Sequence, residues 1–131
     1  MASLIVRGGR RLSGHIAVDG NKNAALPLLA ACVLTPETCE LRNVPQIRDV
    51  AVMLSLLRSL GATVEGEGTS TLRVTCAAVT SGTPDPALVG RLRGSVMLMG
   101  SLLARVGWAN AKPGQLEAVL GIAPLTDRHR Q

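Results

Sequence analysis

The chain has 131 residues, a formal net charge of +5 and 47% hydrophobic residues, with Trp108 as its one aromatic side chain. That length suits a single domain of ordinary size, and its core has to be aliphatic. The charge does not read as a nucleic-acid footprint: the arginines are scattered, no basic run reaches five residues, and the aromatics that stack on bases are missing. A small anionic ligand accounts for a positive balance equally well. Cys32, Cys39 and Cys76 form no CxxC pair, so neither a disulfide framework nor a zinc site is expected. The apolar run Leu4, Ile5, Val6 is too short for a signal peptide. No stretch approaches the roughly 18 apolar residues of a membrane span. A cytoplasmic protein without membrane contact is expected.

In chain order, Leu4, Ile5 and Val6 read as a short buried strand, and Gly8 and Gly9 as a turn. Residues 15–19 alternate, with Ile16 and Val18 on one side and His15, Ala17 and Asp19 on the other, which is strand periodicity. A helix is predicted over 23–33, with Ala25, Leu28, Leu29 and Cys32 as its core stripe. A start at Ala24 would place Pro27 in the first turn, where helical N–H groups have no internal partner. A strand follows over 38–44, then a helix over 47–60 carrying Val50, Met53, Leu54, Leu57 and Leu60 at helical spacing. Gly61 is its expected terminator. Residues 62–64 and 70–76 read as a β-hairpin. After a Pro/Gly/Ser/Thr-rich stretch at 80–86, a third helix is predicted over 86–106. Residues 12–76 thus read β-α-β-α-β-β.

The run Gly20, Asn21, Lys22, Asn23, Ala24, Ala25, Leu26, Pro27 sets one lysine between two asparagines at a helix start. Unpaired N–H groups and the helix dipole favour anions there, and a lysine adds full charge. Read alone, this is more often a solvated lysine beside a capped helix. Its neighbourhood is more specific. Leu41, Arg42, Asn43, Val44 and Pro45, then Asp49 and Val50, then 56–62, then Leu92, Arg93, Gly94 and Ser95, and finally 100–105 fall in a fixed order. In these blocks the chain resembles the UDP-N-acetylglucosamine 1-carboxyvinyltransferase family of enolpyruvyl transferases. That family carries G-A-K-N-A-A-L-P, M-R-A-S and G-P-L-L-A-R at matching places, and the resemblance covers residues 4–107. The shikimate-pathway enolpyruvyl transferase, with G-S-K-S at the first block, fits less well.

The resemblance implies an α/β fold: part of an inside-out α/β barrel built from β-α-β-α-β-β units, incomplete here. In that family the first strand joins the second domain. The implied reaction transfers enolpyruvate from phosphoenolpyruvate to the 3-hydroxyl of UDP-N-acetylglucosamine, the first committed step of peptidoglycan synthesis. It needs cations for the phosphate and carboxylate, an acid for the enol carbon and a base for the hydroxyl. By position, Lys22 and Asn23 would contact phosphoenolpyruvate, and Arg93 and Asp127 would lie on the UDP-sugar side. Arg91 reads as a solvated neighbour of Arg93, and Arg42, Arg48 and Arg58 as surface residues. No metal or organic cofactor is implied.

The chain divides at Gly107. Residues 1–107 read as the N-terminal part of the transferase domain, and 108–131 as a divergent or frame-disrupted tail whose end, from Asp127, is family-like again. The family's proton-donor cysteine, expected in a P-G-G-C loop, is not found: Pro113 and Gly114 are followed by Gln115. The chain also has roughly a third of the length of a two-domain enzyme. It is therefore expected to be inactive alone and to self-associate through uncovered apolar faces. Two other readings stand beside this one: an enolpyruvyl transferase acting on another nucleotide, and a non-catalytic anion-binding remnant.

Overall fold

A computed structural model describes residues 2–109. Residues 2–21 contain no helix or strand. The first element, α1 (Lys22–Ala31), is capped by Asn21, whose backbone is extended and whose Oδ1 accepts the Ala24 N–H at 2.9 Å. Satisfying one orphan donor in this way favours a helix start at Lys22 rather than Ala24. Pro27 consequently falls beyond the first turn, and α1 runs through it before tightening into a 3₁₀ turn, Cys32–Leu34. The buried stripe is Ala25, Leu26, Leu29 and Ala30, continued by Cys32 and Val33. Leu28, expected in the core, is 52% exposed.

Strand β1 (Thr38–Leu41) leads through Asn43 to α2 (Arg48–Ser59), which is followed by β2 (Thr63–Glu65) and β3 (Leu72–Thr75). The three strands form one antiparallel sheet in the order β1-β3-β2. Its register puts Cys39, Leu41, Val64, Leu72 and Val74 on one face and Thr38, Glu40, Thr63, Glu65, Arg73 and Thr75 on the other. The first face packs into the core; the second is polar, with Thr38 and Thr75 hydroxyls 2.8 Å apart. Such alternation is what a sheet covered on one side requires. Helix α2 buries all five residues of its expected stripe, and Val52 and Leu56 as well, because it packs against α1, β2 and a later helix at once. Gly61 ends it with φ +102°, a left-handed terminator.

Two sequence expectations are corrected. The strands expected at 4–6 and 15–19 do not form. Leu4, Ile5, Val6, Ile16 and Val18 are 79–91% exposed, with no neighbouring strand to satisfy their backbone. The helix expected over 86–106 is broken into α3 (Pro86–Val89), a 3₁₀ turn at Arg93–Val96, and α4 (Met97–Val106). Gly90 closes the short α3, and Leu92 has extended backbone. Helix α4 is fastened at its middle and its C-terminal end: Ser101 Oγ donates to the Ala30 carbonyl at 2.8 Å, and Arg105 donates to the carbonyls of Cys76 and Ala77. These bonds satisfy backbone groups at the end of α1 and just after β3. No helix among the described residues is long and apolar enough to cross a membrane.

Candidate functional site

Asn43 explains why the chain reaches α1 where it does. It occupies the left-handed region at φ +57°, which asparagine tolerates better than most residues. From there its Oδ1 accepts the Gly20 N–H and its Nδ2 donates to the Val18 carbonyl, both at 3.1 Å. A Cβ on Gly20 would lie 1.7 Å from the Asn43 carbonyl oxygen. Glycine is thus needed at 20 for close backbone approach, since its own φ is unremarkable. Val44 continues the seam by donating to the Ser70 carbonyl at 2.9 Å. The start of α1 is thereby held against the exit of β1.

Beside that start lies a cleft of about 380 Å³, lined by Lys22, Asn23 and Leu26 of α1, Asp49 of α2, and Arg91, Leu92, Arg93, Gly94 and Met97 of the segment between α3 and α4. Leu26 and Leu92 are each 4% exposed and form an apolar floor. Gly94 rests on Leu26: an added Cβ would meet its Cδ1 at 2.9 Å. The broken helix matters here. Its 3₁₀ turn lays residues 91–97 across the N-terminal half of α1, where a continuous helix would have spaced Arg91 and Arg93 around its axis.

Three of the four site residues expected from the sequence therefore share one cleft: Lys22, Asn23 and Arg93. Asp127 lies outside the described residues. Arg91, read from sequence as a solvated bystander, is exposed but lines the cleft. Asp49 belonged to a matching block without an assigned role; its Oδ2 stands 2.7 Å from Lys22 Nζ. No local signal could have paired residues 22 and 49, which lie on separate helices. Among the described residues, three cations face one carboxylate, so this lining is net positive and suits an anion.

Arg42, Arg48 and Arg58 do not line this cleft. Arg42 pairs with Glu40 at 2.8 Å and Arg58 with Glu67 at 2.6 Å. The cysteines lie elsewhere too. Burial pushes the Cys32 thiol up to about 12, with Cys39 adding to the effect, and burial also raises Cys76, partly offset by Arg105. A thiol held neutral in the core is packing rather than reactive chemistry. Among the described residues, no group of three His, Cys, Asp or Glu side chains could hold a metal ion.

Comparison with known proteins gives the class to which this unit belongs, the carboxyvinyl transferases. Residues 6–120 match the family model for EPSP synthase (3-phosphoshikimate 1-carboxyvinyltransferase), and the chain belongs to that family. Among curated relatives, the UDP-N-acetylglucosamine 1-carboxyvinyltransferase of Bradyrhizobium diazoefficiens is 47% identical over 103 residues, 79% of this chain and 24% of the relative. The enzymes of that name from Trichlorobacter lovleyi and Geobacter metallireducens are 39% and 42% identical, over 98% and 95% of this chain and 30% of each relative. The crystal structure of the enolpyruvyl transferase NikO from Streptomyces tendae superimposes with a TM-score of 0.63 at 31% identity, over 76% of this chain and 23% of that one. The chain thus spans 23–30% of the length of these relatives.

Proposed function

We propose that this chain is the N-terminal portion of a carboxyvinyl transferase that moves enolpyruvate from phosphoenolpyruvate to the 3-hydroxyl of UDP-N-acetylglucosamine, in peptidoglycan synthesis. In this reading Lys22 and Asn23 bind phosphoenolpyruvate, and Arg93 serves the UDP-sugar, with Asp127 on the same side. The single observation that carries the reading is the meeting of Lys22, Asn23 and Arg93 in one positive cleft, although 70 residues separate Asn23 from Arg93. The names of the relatives supply the acceptor and the carboxyvinyl group transferred. The fold is proposed to be one β-α-β-α-β-β unit of an inside-out barrel, with the exposed 4–6 segment meant for a strand partner elsewhere in that barrel. Residues 1–107 are proposed as the N-terminal part of the transferase domain and 108–131 as a divergent or frame-disrupted tail with a family-like end, within which the family match continues to residue 120. The protein is proposed to work in the cytoplasm.

Lys22 would neutralise phosphate and carboxylate charge as the phosphate departs, while Arg93 meets the UDP-sugar. Proton transfer to the enol carbon has no candidate thiol in the cleft, so the 131-residue chain is proposed to bind without turning over.

Calorimetry with UDP-N-acetylglucosamine, alone and with phosphoenolpyruvate, tests this. Lys22→Ala should weaken phosphoenolpyruvate binding, and Arg93→Ala nucleotide binding, each by roughly tenfold or more, the value of a charged hydrogen bond. Binding unchanged in both variants would sink the assignment. Binding of a different nucleotide in preference would move the acceptor and keep the class.

A further inference from the structure

We infer that Asp49 is a positioning residue that keeps the Lys22 ammonium inside the cleft, which rests on the reading of this cleft as the phosphoenolpyruvate site. Lys22 is the first residue of α1, and a helix N-terminus repels a cation. Its own helix gives the ammonium no reason to stay. Asp49, from the first turn of α2, supplies one across the gap at 2.7 Å. Among the described residues it is the only carboxylate lining the cleft. The Lys22 and Asp49 side chains are 51% and 33% exposed, so the pair adds little to folding. Its consequence is where the charge points. An ammonium has three N–H donors; one serves Asp49 and two remain for the ligand's anionic oxygens.

This reading has a definite sign. A carboxylate that merely shared the cleft would repel an anion, and its removal would tighten binding. A carboxylate that positions Lys22 does the reverse. In titrations of phosphoenolpyruvate into the full chain, Asp49→Ala is expected to weaken binding about fivefold to tenfold, with Asp49→Asn between it and the parent. In a Lys22→Ala background the same change should cause no further loss. Equal or tighter binding in Asp49→Ala, or the same loss with and without Lys22, overturns the inference. Lys22→Ala that binds as well as the parent sinks the site reading itself.

A second measurement needs no ligand. The chain has two lysines, Lys22 and Lys112. Acylation by an amine-specific active ester, followed by peptide mass mapping, gives the Lys22 rate with Lys112 as internal reference. An amine held by a carboxylate must leave it before it can react, so the Lys22/Lys112 ratio should rise severalfold in Asp49→Asn. An unchanged ratio rejects the positioning role.

Discussion

Residues 2–21 and residues 22–109 draw on the same aliphatic side chains and end in opposite environments. Leu4, Leu12 and Ile16 are 90–93% exposed, whereas Leu29, Met53, Leu57 and Val74 are fully buried. The first region is held only at its end, where Asn43 takes the Val18 carbonyl and the Gly20 N–H. The second closes around α2, which touches helix and sheet together. Alternation of apolar residues makes a strand only when a neighbouring strand accepts it. A helix satisfies its backbone internally and needs only one face covered.

The comparison is open to attack, most strongly through the core. Leu57→Ala should cost about 2–5 kcal/mol in urea unfolding, the range for a buried leucine that leaves a cavity. Ile16→Ala should stay within about 0.5 kcal/mol, as an exposed site does. Comparable losses at the two positions would mean that the N-terminal region is packed after all.

The junction between the regions should respond next. Gly20→Ala puts a methyl group into the Asn43 carbonyl, and the backbone has to move. A loss of about 1–3 kcal/mol is expected, in the range of overpacking a close contact, read as a lower urea midpoint at constant slope. A neutral result would show that Gly20 is not seated against Asn43.

The last effect concerns pH and is confined to alkaline solution. The Cys32 thiol titrates near 12 in the folded chain against an ordinary value of 9.0. The neutral thiol is thus the form the fold favours. Its contribution is complete below pH 9.0 and is lost as the pH rises towards about 12, because the unfolded chain releases its proton first. The melting temperature should fall across that window and fall less in Cys32→Ala. The chain has no tyrosine and two lysines, so few other side chains titrate there. An identical alkaline decline in the variant would remove Cys32 from the account.

The parts legible without coordinates were those governed by local periodicity. The apolar stripe of α2, its Gly61 terminator, the β2–β3 hairpin and the Asn-capped start near Lys22 all follow from spacing and capping. The family blocks also singled out Lys22, Asn23 and Arg93, three residues that the fold brings to one cleft. Tertiary structure decided the rest. It left Leu28 outside the core and buried Leu26, because the first helix packed its Leu26 side against the segment that carries Gly94. It broke the expected third helix, whose 3₁₀ turn brings Arg91 and Arg93 over α1. It paired Lys22 with Asp49, residues with no sequence relation. And it denied strands to residues 4–6 and 15–19, since strand pairing is a property of two segments and a hydrophobic pattern describes only one.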